Sequence, residues 1–469
     1  MSIVISNKTV SNIQIGSKTV ERITIGGKTA YELPNYLCFA DASGSSNTLT
    51  LTKYNTNGQA PTTNLEYSTD KVNWNTWVET NNVRSYTIPA NGKVYLRGDN
   101  TAFGYGDNTT DYHNFSSTGN INASGDLMTL LDKSGNLRTV GVAAFRQIFR
   151  NWSNLKTPPS ISATTAGRLS FNNAFSYSGI TSSPEIFVTE TTGQSSFYQA
   201  FYRCESLVNA GAIHTTDLTT AHTFSETFYY CTALVKAPSF TLNSINGGTN
   251  HCMCMFKGCS SLTSASNITL NATTIPNSAY EQMFYECSAL VTPPTITSSA
   301  LTISDRGLLQ MFRKCTSLTT APNLNIATLD SSGIRHCYDL FRECSSLTDV
   351  TKVKLNATVL YNQSYHSVFY GCTNLVTPPE IKATSYYSDS SSTTNGSFCE
   401  MFYNCSKLST IKVHFTTWDN NGRGTKNWTY GTKSSGTFYK PSSLPSTKNT
   451  SGNTTNPDFI PYNWSVSNI

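Results

Sequence analysis

Apolar residues recur along most of the chain at fixed places around one short fragment, Phe-x-x-Cys-x-x-Leu. The phenylalanines are Phe149, Phe175, Phe201, Phe228, Phe256, Phe284, Phe312, Phe341, Phe369 and Phe402, separated by 26, 26, 27, 28, 28, 28, 29, 28 and 33 residues. Three residues on stands a cysteine in eight units: Cys204, Cys231, Cys259, Cys287, Cys315, Cys344, Cys372 and Cys405. The first two units carry Trp152 and Ser178 there instead. Six residues after Phe comes a leucine, as in Leu207, Leu290 and Leu318, and a proline often follows, as in Pro238, Pro293, Pro322 and Pro378. Self-similarity at such a period is the signature of a solenoid.

Within one unit, Tyr280, Met283, Phe284 and Cys287 fall at i, i+3, i+4 and i+7, the spacing of one helical face. The Leu290-Val291-Thr292-Pro293-Pro294 that follows cannot stay helical, because proline lacks a donor and restricts its predecessor. The pattern therefore predicts a short helix and a short extended segment per unit, an α/β leucine-rich-repeat-like solenoid of about ten repeats over residues 113–412. A lone unit cannot bury its apolar face, whereas stacked units can. Phe201, Cys204, Leu207, Phe284, Cys287, Leu290, Phe312, Cys315 and Leu318 are the expected structural ladder.

The flanks follow other rules. Residues 1–34 hold a ten-residue repeat that aligns Ile5, Ile15 and Ile25, then Lys8, Lys18 and Lys28, then Thr9, Thr19 and Thr29. The pairs Ser6-Asn7, Gly16-Ser17 and Gly26-Gly27 punctuate stretches of β-formers, a hairpin signal. A meander or three rungs of a β-prism would be too small to stand alone in water, so this segment is expected to dock on a larger body. Residues 35–112 show short alternating stretches, within Leu65–Asp70 and Ser85–Gly98, separated by turn residues. They predict an Ig-like β-sandwich without the Cys…Trp…Cys pattern of antibody domains. Trp74 and Trp77 are expected to pack there. Residues 413–469 are expected to cap the solenoid; from Lys407 to Lys448 seven basic residues face one acid, Asp419.

Composition sharpens the class. Only 13% of residues are charged, against roughly a quarter in ordinary soluble domains; Ser, Thr and Asn supply the polarity, as on surface-displayed β-rich proteins. A net charge of +5 without a clustered basic footprint argues against nucleic acid. No apolar run approaches the ~18–20 residues that cross a bilayer, so no membrane insertion is expected. Met1–Lys8 lack the basic and apolar regions of a signal peptide, which leads us to expect synthesis in a cytoplasm. In-register cysteines in such a chain are expected as small buried hydrophobes, not disulfides or zinc ligands. Among known motifs, no phosphate loop, nucleophile elbow, zincin helix or dinucleotide fingerprint occurs. His251-Cys252-Met253-Cys254 is the one metal-like run, and its neighbours would face different ways. We expect no enzyme and no cofactor.

Met401-Phe402-Tyr403-Asn404-Cys405-Ser406-Lys407-Leu408-Ser409-Thr410-Ile411 and its siblings resemble the BspA-type leucine-rich repeats found in gut Bacteroidales and in the crAss-like phages that infect them. The resemblance covers roughly residues 115–469 and implies a solenoid for adhesion and recognition. It leads to the expectation of a phage virion protein (fibre, spike or head/tail decoration) made in the host bacterial cytoplasm and carried on the virion surface. Residues 1–34 would bind other virion proteins, the chain would be a homo-oligomer such as a trimer, and the solenoid would hold a host-surface glycan or protein. A bacterial BspA-like adhesin and a tailspike-type glycan depolymerase are the alternatives. Contacts are expected in the loops between repeats, with Tyr386, Tyr387, Trp418 and Trp428 as binding residues.

Overall fold

A computed structural model describes residues 35–106, 110–215, 217–388, 395–419, 423–450 and 458–469. Ahead of them it gives the backbone of four short strands, Ile13–Ile15, Lys18–Val20, Arg22–Ile25 and Lys28–Glu32. The repeat region is a β-solenoid of about 11 coils. The expected helices are absent: among the described residues the only helix is one 3-10 turn, Leu127–Leu130, so the solenoid is β and not α/β.

The hydrogen bonds around Phe284 show what replaces the helix. Four alternate amides, those of Tyr280, Gln282, Phe284 and Glu286, donate to Gly307, Leu309, Met311 and Arg313 of the next coil at 2.8–3.1 Å. The amides between them, of Glu281, Met283, Tyr285 and Cys287, close tight turns onto the carbonyl three residues back. Every fourth residue is left-handed: Ser278, Gln282 and Glu286 have φ of 52°, 54° and 61°. A helix needs unbroken right-handed geometry. This chain instead runs as a ribbon of successive turns, two residues in and two out, hydrogen-bonded to its neighbours above and below. A period of four mimics a period of 3.6 over two turns, which is why the apolar spacing suggested a helix.

Stacking that ribbon builds the core. From Phe175 to Phe402 the phenylalanine rings lie 5.2–6.0 Å apart from coil to coil and nearly parallel. Cys204, Cys287, Cys315, Leu207, Leu290 and Leu318 are wholly buried beside them. All 13 cysteines are free and buried; burial pushes the Cys204 and Cys259 thiols up to about 12. In the ladder each thiol donates to the phenylalanine carbonyl of the preceding coil, as Cys287 does to Phe256 and Cys315 to Phe284, both at 3.1 Å. That carbonyl already accepts the amide of its own coil's cysteine, so the thiol fills its second lone pair in a place with no water. At two places where the cysteine is replaced, Ser178 lies 3.5 Å from the Cys204 sulfur and Thr432 donates to the Thr429 carbonyl of its own coil. Within the ladder a small donor satisfies that carbonyl. Cys287→Ser is therefore expected to be better tolerated than the nearly isosteric Cys287→Val, by about 1–2 kcal/mol in urea unfolding; the reverse order would show that volume alone matters there.

The other sides of each coil are short parallel strands. Phe240–Leu242, Ile268–Leu270 and Thr295–Ile296 form one sheet, and Thr274–Ile275, Leu301–Ile303, Leu324–Leu329 and Val353–Leu355 another. Alternate Ile, Leu and Val side chains point inward while Thr, Asn and Lys face out. Covering both faces is the usual need of parallel sheets; here the coil interior covers one and polar side chains solvate the other.

Before the coils stand two antiparallel sheets packed face to face. One contains Leu37–Asp41, Leu65–Ser68, Asn75–Thr76, Lys93–Gly98 and Ile121–Gly125; the other contains Asn47–Asn55, Val83–Ile88 and Asp111–Ser117. Phe39 meets Phe115 across the layer at 5.2 Å, and Tyr67 meets Tyr86 at 5.1 Å. Trp77 is buried, while half-buried Trp74 lies under the Arg97 guanidinium at 3.9 Å. Asp111–Ser117 crosses the boundary expected at residue 112, and Ile121–Gly125 pairs in parallel with Leu155–Thr157. Phe39 also touches Trp152 at 5.5 Å. The sandwich thereby covers the first coil, and the tryptophan that replaces the first cysteine is the plug between them.

At the far end Thr410–Lys412, Thr437–Lys440 and Ser465–Asn468 continue the parallel stack into the segment expected as a cap. The last coil carries Trp428-Thr429 where earlier coils carry an aliphatic residue and Phe, so the Phe repeat misses it. Lys440 is buried and donates to the carbonyls of Pro441 and Leu444, Lys448 donates to the Trp464 carbonyl, and Lys426 pairs with Asp458. These basic residues fasten the cap. At the N-terminus, Ile13–Ile15 pairs with Lys18–Val20 and Arg22–Ile25 with Lys28–Glu32, both antiparallel. Ile5, Lys8, Thr9, Ser6-Asn7, Gly16-Ser17 and Gly26-Gly27 lie outside the described residues.

Candidate functional site

The residue after each ladder phenylalanine points outward, because the ribbon turns out immediately past its buried pair. From the third coil onward these positions are Tyr202, Tyr229, Lys257, Tyr285, Arg313, Arg342, Tyr370 and Tyr403, and Tyr430 follows Thr429 in the last coil. They form one file along the solenoid. Tyr202 stacks on Tyr229 at 4.8 Å, Tyr370 on Tyr403 at 4.7 Å and Tyr403 on Tyr430 at 4.5 Å, each nearly parallel. Between the tyrosine runs, cations take the place of rings. Lys257 Nζ sits 4.6 Å from the Tyr285 centroid, the Arg313 guanidinium 5.5 Å from it, and the Arg342 guanidinium 3.8 Å over Tyr370. Such contacts are worth about 0.5–2 kcal/mol each, and here they extend the stacks up to either side of the Arg313–Arg342 step.

Arg313 and Arg342 would repel each other if nothing lay between them. Asp339, three residues before Arg342 in the same coil and buried, takes Arg313 at 2.8 Å, Arg342 at 3.4 Å and the Gln310 amide at 3.0 Å. Burial pushes its carboxyl pKa up, against the pull of Arg342 and Arg313. The file two residues before Phe continues this seam: Lys257 donates to Gln282 at 2.7 Å, and Gln282 to Gln310 at 2.6 Å. On the other flank Glu286 accepts from Lys314 at 2.9 Å and from the Tyr230 hydroxyl at 2.8 Å. Burial alone would raise Glu286; those two hydrogen bonds outweigh it and lower the pKa.

The file thus has its ring faces occupied and its edges free. The hydroxyls of Tyr229, Tyr285, Tyr370, Tyr403 and Tyr430 make no hydrogen bond to the described residues, and all five side chains are half-buried. Burial, with Tyr202 alongside, pushes the Tyr229 phenol up to about 12, so it stays protonated and can donate at neutral pH. Such a row can bind by hydrogen bonds along its length. No ring in it offers a bare face, except toward the ends.

The residues expected to bind from sequence lie elsewhere. Trp428 is fully enclosed, touches Phe402, Phe398 and Phe438, and donates its Nε1 to the Phe459 carbonyl at 3.0 Å. It is a core residue of the last coil and leaves the contact set. Trp418 packs edge-on against Trp428, Phe415 and Phe459 and donates to Pro445. Half-buried Tyr386 has its ring on Phe398 and Phe415, while its hydroxyl donates to Thr417 and accepts the Asp419 amide. Tyr387, 38% exposed, is the one of the four with substantial free surface. Aromatics near the C-terminus close the solenoid. The outward file was readable only by counting one residue past each Phe, since Tyr, Lys and Arg share no letter.

His251 and Cys254 are held separately, His251 Nε2 at 2.6 Å from the Gly247 carbonyl and Cys254 near Gln282. Among the described residues no group of three or more His, Cys, Asp and Glu side chains is placed to hold a metal. No protein-family model, curated protein or solved structure matches the chain.

Proposed function

We propose that this protein is a surface-attachment device: a phage virion protein (fibre, spike or head/tail decoration) whose β-solenoid is displayed for contact with a host cell surface. One observation carries the reading. A rod with its first coil covered by a sandwich and its last closed by a tryptophan cluster presents a regular outward file of hydrogen-bonding edges. We read the repeats as BspA-type and the sandwich as Ig-like, a spacer between mount and arm. Residues 1–34 are the mount, because two-stranded hairpins are marginal alone and gain stability by docking on other virion proteins or on symmetry mates in a homo-oligomer.

Immunogold labelling of purified particles with an antibody to the solenoid tests this. Labelled particle surfaces, with adsorption blocked by excess free protein, are the expected result. Particles that lack the chain would sink the virion reading, and labelling confined to the bacterial envelope would favour a cell-surface adhesin.

A further inference from the structure

The outward file also has a period, and the period selects a ligand. Successive rings in its tyrosine runs are 4.5–4.8 Å apart, set by the hydrogen-bonded rise from coil to coil. A ligand lying along the file must advance by about that step per repeat to meet every edge. An extended peptide advances roughly 3.3–3.4 Å per residue and drifts out of step within a few coils. A chain of pyranose rings joined through equatorial bonds advances by one ring length, slightly more than one coil, and stays in step over the three consecutive tyrosines Tyr370, Tyr403 and Tyr430. Each of its hydroxyls can both donate and accept, as a phenol hydroxyl can.

Charge narrows the class further. Arg313, Arg342 and Lys314 are already tied to Asp339 and Glu286 at 2.8–3.4 Å, and Lys257 to Gln282. Glu343 also meets Arg342 at 3.3 Å, so three of these cations face three carboxylates and only Lys257 is left for an acidic polymer. We propose that it binds one extended, neutral, β-1,4-linked glycan parallel to the solenoid axis, one sugar per coil, through the free hydroxyls of Tyr229, Tyr285, Tyr370, Tyr403 and Tyr430. This rests on the attachment reading above and names its ligand.

Calorimetric titration of the full chain with linear β-1,4 glucose, mannose and xylose oligomers, from dimer to octamer, tests it, with alginate as the acidic counterpart. At least one neutral series should bind with affinity that climbs with each added ring. Tyr403→Phe keeps the stack and removes only the hydroxyl. It should weaken the longest oligomer about three- to tenfold while the melting temperature stays unchanged. No binding in any neutral series, affinity independent of length, preference for alginate, or a silent Tyr403→Phe would each overturn the proposal. Particles that still adsorb through the chain would then leave the attachment reading standing, whereas failure in both assays would remove both.

Discussion

Phe284→Ala is expected to destabilise the solenoid by about 3–5 kcal/mol. Phe284 is wholly buried, with Phe256 at 5.4 Å on one side and Phe312 at 5.5 Å on the other. Removing its ring opens a cavity that parallel coils cannot close, because each is fixed to both neighbours by alternate amides. Stability in a solenoid is a sum of coil and nearest-neighbour terms, so a defect in a central coil weakens two interfaces at once. The coils on either side should then unfold in separable steps. Intrinsic fluorescence can follow them, since Trp152 reports the sandwich end while Trp428 and Trp464 report the cap. Phe284→Leu preserves most of the volume and should cost less than about 1.5 kcal/mol. A loss below about 1 kcal/mol for Phe284→Ala would mean that the ring stack is not what couples the coils.

The ladder was legible in the sequence because its residues keep their chemistry from Phe201 to Leu408: Phe, Cys and Leu hold their places there through deletions and insertions between coils. The backbone was not. Tyr280, Met283, Phe284 and Cys287 satisfy a helix and a turn ribbon equally, and the left-handed residues that decide between them are Gln282 and Glu286, types that give no warning. A left-handed non-glycine residue is uncommon because its Cβ crowds the backbone; here the coil-to-coil hydrogen bonds outweigh that penalty. Gly258, Gly371 and Gly431, at φ of 74°, 69° and 68° in the place of Glu286, hinted at it. Part of the candidate site was hidden for the opposite reason. Its outward residues vary, and only their constant offset from Phe reveals a file. Trp428 misled because aromatic residues in a basic, polar stretch resemble a binding surface, whereas a solenoid end needs large apolar side chains to close it.

The second large effect is acid lability. His113, His222, His251 and His336 all have pKa values lowered by burial, His113 to about 4. His113 sits in Asp111–Ser117 with its ring edge-on to Phe103 and Nδ1 at 3.2 Å from the Phe103 carbonyl. Burial outweighs that hydrogen bond, and Arg84 and Lys53 add to the depression while Glu79 opposes it. Below the ordinary histidine value the unfolded chain takes up protons that the folded chain refuses, so stability must fall as pH falls. The loss begins near pH 6.5 and for His113 is complete near pH 4. That difference alone corresponds to about 3 kcal/mol. Glu380 does not contribute in the upper part of this window. Burial would raise it, but His414, Lys412 and Lys382 bring it down to about 2, so its share is present above the ordinary glutamate value and lost only toward pH 2. Thermal unfolding should therefore show a midpoint that drops steadily between about pH 7 and pH 5, led by the sandwich end. His113→Gln, which keeps an amide donor for the Phe103 carbonyl, should flatten that slope. Equal slopes in the variant and the native chain would show that His113 opens to water before it titrates.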